Sequence, residues 1–172
     1  MGLHLRELGL RQPLEVLDRH DVRYVVIGGI AAIAQGYPLT TLDLDVTPAR
    51  DAENLDRIVT SLRELEARLR TPDDPVDFPL DAKMIAAAES WTFVTDRGPL
   101  DLRFAPSGTT GYDDLLRDAV AVDLGLARPT LVASLRDLIR MKEASRRPKD
   151  EAQLPALRRT LELARRGLDL EQ

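Results

Sequence analysis

A short apolar strand that ends in two glycines constrains this chain more than any other feature. Arg23–Ile27 is short and β-branched, which is typical of a buried strand. Gly28 and Gly29 follow at once, and Ile30–Gln35 predicts a helix. Glycines at such a turn let a ligand approach the backbone, and free N–H groups at a helix start can bind phosphate oxygens. The third glycine of a dinucleotide fingerprint and the Gly-Lys-Ser/Thr of a Walker loop are both missing, and a Gly-Gly pair alone is more often just a tight turn.

Helices and strands are mixed along the rest of the chain. Asp51–Arg70 has the clearest amphipathic pattern and predicts a long helix. Trp91–Thr95 and Leu100–Phe104 predict a β-hairpin. Shorter elements are predicted as helices over Gln12–His20, Ala82–Ala88 and Tyr112–Arg117, and as strands over Leu42–Thr47, Ala119–Leu124 and Thr130–Val132. Ser134 is expected to cap a helix over Leu135–Arg146, and Gly167 to end a last helix over Glu151–Arg166.

These elements predict an α/β (α+β) fold with a small mixed sheet flanked by helices. We expect a core over residues 1–133 and a helical C-terminal segment over 134–172 that packs on it as one compact unit. The absence of cysteine excludes disulfide scaffolds, thiolate zinc sites and cysteine nucleophiles. With only His4 and His20, the sequence also argues against a histidine-rich metal site. Met1–Pro13 has no apolar stretch of signal-peptide length, so we expect a cytoplasmic protein without a membrane partner.

The charge is distributed unevenly. The net charge of −5 argues weakly against general nucleic-acid binding. Residues 1–114, however, carry 12 basic and 20 acidic side chains, whereas residues 115–168 carry 12 basic and 7 acidic ones. A basic C-terminal half suits an anionic binding partner, such as a phosphate compound or RNA.

Three aspartates occupy strand positions where that residue type is disfavoured. Leu42–Thr47 alternates strictly, which places Asp43 and Asp45 on one face, with Cβ atoms about 6.5–7 Å apart. Asp101 lies between leucines in the second strand of the predicted hairpin. Such carboxylates are consistent with a solvent-facing strand, but together they favour a magnesium site, because the cation would remove their mutual repulsion.

These motifs together resemble a known family. Gly28-Gly29, a helix, Thr41-Leu42-Asp43-Leu44-Asp45 and the later Asp101 are similar to the pattern of the polymerase-beta-type nucleotidyltransferase superfamily. Within it, the chain most resembles minimal nucleotidyltransferases of the AbiEii type, which are toxins of type IV toxin–antitoxin systems. Val132–Ile139, followed by Lys142, Arg146, Arg147, Lys149 and Asp150, is similar to the C-terminal motif of that family. The resemblance extends from about Tyr24 to about Leu161.

The resemblance implies a nucleotidyltransferase fold and a role for each matching residue. Asp43, Asp45 and Asp101 would bind two Mg²⁺ ions, or Mn²⁺ in their place, and Asp101 would also help to deprotonate the attacking hydroxyl. A second group would bind the NTP, for example ATP: Gly28, Gly29, Thr41, Lys142, Arg146 and Asp150. Lys142 would neutralise the triphosphate, with Arg146 on the same helix face. A solvated basic helix face is as good an interpretation of Arg146.

The implied activity is transfer of NMP to a hydroxyl group, with a tRNA 3′ end or a protein side chain as acceptor and a cognate antitoxin as partner. The chain departs from the family where Leu39 and Leu42 occupy positions that often carry basic residues. Leu39 favours a non-catalytic member of the fold, and two alternatives therefore stay open. One is a nucleotidyltransferase of the antibiotic-modifying type with a small-molecule acceptor, and the other is a non-catalytic nucleotide-binding or partner-binding member of the fold.

Overall fold

The computed structural model of the protein describes residues 10–41 and 43–170. Within them the helices are α1 (Arg11–Arg19), α2 (Gly28–Ala34), α3 (Ala52–Glu64), α4 (Ala82–Ala86), α5 (Tyr112–Leu116), α6 (Leu135–Ser145) and α7 (Pro148–Leu170). The strands are β1 (Tyr24–Ile27), β2 (Leu44–Pro48), β3 (Arg68–Leu69), β4 (Ser90–Thr95), β5 (Gly98–Arg103), β6 (Val120–Val122) and β7 (Thr130–Val132). None of the helices in these residues combines the length and the apolar character needed to cross a lipid bilayer.

The strands form one mixed sheet in the order β3-β4-β5-β2-β1-β7-β6. β1 runs antiparallel to β2 and parallel to β7, and β2 runs parallel to β5. The predicted hairpin is present as β4 and β5. The expected α/β fold with a mixed sheet and flanking helices is therefore confirmed.

The apolar faces of the helices and the sheet share one core. All four residues of β1 are buried, as expected for a central strand with neighbours on both sides. Leu138 of α6 and Leu157 of α7 belong to the same core cluster as the sheet residues. Ser134 caps α6 as predicted, because its hydroxyl accepts a hydrogen bond from the backbone N–H of Asp137 at 3.1 Å.

The boundaries of two predicted helices are wrong. The long helix α3 ends at Glu64, because Glu66 takes a left-handed φ of +50°, and Arg68–Leu69 then pairs with β4. The last helix begins at Pro148, because proline at the first helical position needs no backbone N–H donor there, and it continues through Gly167 to Leu170.

Two smaller differences concern the site. Helix α2 begins at Gly28, so both glycines belong to its first turn instead of preceding it. The second predicted strand begins at Leu44, so Asp43 precedes the strand, and Leu42 lies outside the described residues.

Candidate active site

A cleft of about 580 Å³ brings together the N-terminus of α2, the start of β2, the Asp101 position of β5 and the junction between α6 and α7. All but one of the site residues predicted from the sequence line this cleft: Gly28, Gly29, Thr41, Asp43, Asp45, Asp101, Lys142 and Asp150. The exception is Arg146, which is not among the lining residues. Residues more than 100 positions apart in the sequence therefore face one space.

Two of the aspartates are direct neighbours across the sheet. Asp45 of β2 is in register with Asp101 of β5, on adjacent parallel strands. The Asp45 side chain is 20% exposed and that of Asp101 is 9% exposed. Burial raises the pKa of both carboxyl groups, and the charge of Asp45 raises the pKa of Asp101 further. A cation close by would favour the ionised form of both groups.

An arginine that the sequence analysis did not select contacts both carboxylates. Arg103 donates from Nε to Oδ1 of Asp45 and from Nη2 to Oδ2 of Asp101, each at 3.3 Å. The signal was present in the sequence, because Arg103 lies two residues after Asp101 on an alternating strand and so shares its face. Arg70, at the end of β3, also lines the cleft, and its charge lowers the pKa of Asp101.

The two glycines leave room for different neighbours. Gly28 has a φ of +67°, and a Cβ atom at this position would lie 2.8 Å from Oδ2 of Asp45. A Cβ at Gly29 would lie 2.9 Å from Cγ2 of Thr41. Thr41 in turn accepts a hydrogen bond from the backbone N–H of Asp43 at 3.3 Å. The glycine turn thus packs directly against the segment that carries the first two aspartates.

Lys142 of α6 is held by a buried carboxylate of α7, and both residues line the cleft. Its Nζ atom donates to Oδ1 of Asp150 at 2.9 Å, while Oδ2 accepts from Nε of Arg147 at 2.7 Å and from Oγ of Ser145 at 2.5 Å. These donors outweigh the effect of burial and lower the pKa of Asp150 to about 2. Lys142 therefore has its ammonium group fixed at the cleft wall.

The prediction that Arg146 shares a helix face with Lys142 is wrong. α6 ends at Ser145, and Arg146 takes a left-handed conformation with φ of +52° as the C-terminal cap. This turn directs the chain into α7 and breaks the four-residue helical spacing. The arginine next to the site is Arg147, through its contact with Asp150.

The donor set at the Asp45–Asp101 pair fits a magnesium or manganese ion. Oδ1 of Asp101 is buried and has no hydrogen-bond donor, and Arg103 contacts only one oxygen of each carboxylate. Carboxylate oxygens are the ligands that these cations prefer. Asp43 is exposed, and within the described parts of the chain no three acidic or histidine side chains form a ready-made metal cluster. A third aspartate ligand therefore remains a prediction from the sequence.

The neighbouring positions give the cleft its other properties. Leu39 lies partly buried against the core and lines the cleft, so it contributes apolar surface to the cleft wall. Phe93 is fully buried and Trp91 packs on Phe78, which makes these aromatic side chains part of the core. Gly108 lies close to Ala144 of α6, so its loop packs against a helix.

Comparison with known proteins supports the architecture. No protein-family model and no curated protein sequence matches the chain. Among solved structures, the chain is similar to the lincomycin-bound lincosamide antibiotic adenylyltransferase LnuA, with a TM-score of 0.57 and 12% identity over 87% of this chain and 94% of that one. It is also similar to the antibiotic-resistance factor ANT(2'')-Ia, with a TM-score of 0.53 and 13% identity over 98% and 94% of the two chains.

A protein of Thermotoga maritima described as a nucleotidyltransferase is a third similar structure, with a TM-score of 0.51 and 17% identity. The match covers 94% of this chain and 96% of that one, so the likeness extends over nearly the whole length of both. Identities this low establish architecture, and the chain therefore has the fold of the nucleotidyltransferases.

Proposed function

We propose that the protein is a Mg²⁺-dependent nucleotidyltransferase that moves NMP from an NTP to a hydroxyl acceptor and releases pyrophosphate. The observation that carries this proposal is the placement of Asp45 directly opposite Asp101, in the cleft that also contains the glycine turn and Lys142. Two of the fold neighbours support it, because LnuA is named as an antibiotic adenylyltransferase and the Thermotoga maritima protein as a nucleotidyltransferase. This combination favours a catalytic member of the fold over one that binds nucleotides or partners without catalysis.

Each residue contributes through position and charge. Gly28 and Gly29 place backbone N–H groups at the start of α2, where they bind phosphate oxygens of the NTP. Lys142 meets the triphosphate from the opposite wall. Asp45 and Asp101, with Asp43, would hold the metal ions, which when bound supply positive charge to the triphosphate and to the attacking oxygen.

Asp101 also acts on the acceptor in this proposal. Its carboxylate accepts the proton of the attacking hydroxyl, and burial raises its pKa, which makes it a stronger base than an exposed aspartate. Asp101 has side-chain exposure of only 9%, which limits the water that could compete with the acceptor.

For the acceptor we propose a tRNA 3′ end or a protein side chain. We also propose that the protein is a toxin controlled by a cognate antitoxin. Two exposed cations in the cleft, Arg70 and Lys149, have no carboxylate partner among the described residues, which favours an acceptor with phosphate groups. A small-molecule acceptor is the second candidate, because LnuA is named as an antibiotic adenylyltransferase.

A labelling experiment tests both levels of the proposal. The protein is incubated with each α-³²P-labelled NTP, Mg²⁺ and, in parallel, total tRNA, no added acceptor, or lincomycin. Label in tRNA or in the protein supports the toxin assignment, and label in lincomycin supports the small-molecule candidate. Asp101→Asn should abolish transfer, whereas Asp73→Asn, which alters an exposed loop outside the cleft, should keep it. No transfer to any acceptor and no metal-dependent NTP binding would contradict the proposed activity.

A further inference from the structure

Arg103 occupies the place where the proposed activity needs a cation. Its guanidinium contacts both Asp45 and Asp101. Their side chains are largely buried and lie side by side on adjacent strands. Two carboxylates in such a position repel each other unless a positive charge separates them. In the described residues Arg103 is the only cation that forms an ion pair with either of them.

The contacts that Arg103 makes are incomplete. Charge-assisted N–H···O bonds normally measure about 2.7–2.9 Å, and an arginine often binds one carboxylate with two parallel bonds. Here each carboxylate receives one bond of 3.3 Å, and Oδ1 of Asp101 receives none although it is buried. An ion pair with a purely structural role would be expected to satisfy these oxygens more fully.

The Arg103 side chain is also able to leave the ion pair. Its side chain is 39% exposed and lines the cleft, so the guanidinium can leave the pair without a change in the backbone of β5. The backbones of Asp45 and Asp101 are in register on paired strands and cannot move apart in the same way. The mobile partner of the trio is therefore the arginine.

We propose that Arg103 is the resident counter-ion of the Asp45–Asp101 pair, and that a divalent cation binds there in competition with its guanidinium. This inference rests on the proposed metal-dependent function. The arginine offsets the repulsion between the two carboxylates when the cleft holds no ion, and it lowers the affinity for a free ion. A cation that arrives with a triphosphate brings additional contacts to Gly28, Gly29 and Lys142, so it displaces the arginine more readily than a free ion does.

Metal affinity without nucleotide tests the competition. We suggest measuring the Kd for Mn²⁺ from the electron paramagnetic resonance signal of the free ion, for the wild type, Arg103→Gln and Arg103→Lys. Arg57→Gln is the matched control, because Arg57 pairs with Glu53 on α3 outside the cleft. Arg103→Gln should bind Mn²⁺ at least tenfold more tightly, which corresponds to about 1.4 kcal/mol. Arg103→Lys keeps the charge and should stay within about threefold of the wild type, as should Arg57→Gln.

The Arg103→Gln protein should also be less thermostable than the wild type without metal and gain more in Tm when Mn²⁺ is added. A second measurement uses the wild type alone: hydrogen exchange at the Arg103 Nε–H group should become faster on addition of Mg²⁺. In this measurement Arg103→Lys is used to assign the Nε–H resonance.

The outcomes separate the two levels of inference. If the wild type binds Mn²⁺ and Arg103→Gln binds it equally or less tightly, the competition is refuted and the proposed function stands. Unchanged exchange at Nε–H on binding of Mg²⁺ would refute it as well. A wild type that binds no divalent ion, even with NTP present, would refute the metal-dependent function and the role of Arg103 together.

Discussion

Replacing Gly28 by alanine should impair metal binding much more than it impairs stability. The added Cβ would lie 2.8 Å from Oδ2 of Asp45, a distance at which one of the two groups has to move. Gly28 also has a φ of +67°, where a side chain is strained. The substitution therefore has two separable effects, one on the backbone and one on the carboxylate.

The chain offers a control for the first effect. Gly125 has a φ of +75°, and a Cβ there would meet nothing within 4 Å, so Gly125→Ala reports strain alone. That strain costs about 1–2 kcal/mol. In Gly28→Ala the Asp45 carboxylate can rotate away from the new methyl group, at an additional cost of about 0.5–1.5 kcal/mol for leaving its rotamer. We expect the two variants to differ by no more than this amount.

The rotation has a larger consequence for the site. A displaced Asp45 carboxylate loses its alignment with Asp101, so Mn²⁺ affinity in Gly28→Ala should fall by more than tenfold. Urea denaturation gives the free energy of unfolding of both variants, and Mn²⁺ titration gives their Kd values. Wild-type Mn²⁺ affinity in Gly28→Ala, or an equal loss in Gly125→Ala, would refute the argument that Gly28 exists to make room for Asp45.

Two further predictions concern buried polar groups. Asp150 has its pKa lowered to about 2, so it stabilises the fold above its unfolded pKa of about 3.8 and loses this effect as the pH falls towards 2. Asp150→Asn should thus lower the free energy of unfolding by about 2 kcal/mol at pH 7 and by clearly less at pH 3, measured by urea denaturation; an equal loss at both pH values would contradict this. Asn54 is fully buried and bonds to the N–H and C=O of Arg23 and the C=O of Ala49, so Asn54→Ala should cost about 3 kcal/mol while the Mn²⁺ affinity of the refolded protein stays unchanged.

Local patterns in the sequence predicted the elements that build the site, because each depends on neighbouring residues. The strand before Gly28, the hairpin with Asp101 and the cap at Ser134 all follow from such short-range signals. The register between Asp45 and Asp101 could not be predicted in this way, because it depends on which strands become neighbours in the sheet.

The end of α3 shows the same limit from another side. The apolar spacing of Asp51–Arg70 continues past the true helix end, because Leu65 is buried and Leu69 is partly buried although neither belongs to the helix. The left-handed turn at Glu66 decides the boundary, and its sequence signal is weak because glutamate rarely takes that conformation. Arg103 was missed as a site residue for a related reason. Its contact with Asp45 exists only because β2 and β5 pair in the sheet.

The uneven charge of the chain has a narrower meaning in the structure than in the sequence. Much of the positive charge of the C-terminal half is used in ion pairs, such as Arg140 with Asp114 and Arg158 with Glu143. The cleft itself is lined by five acidic and five basic side chains, and its Lys142 is already paired with Asp150. A site with equal numbers of acidic and basic side chains has no net positive charge to offer a triphosphate. Divalent cations must then supply it, so NTP binding to this cleft should depend on the metal far more than on any single lysine or arginine.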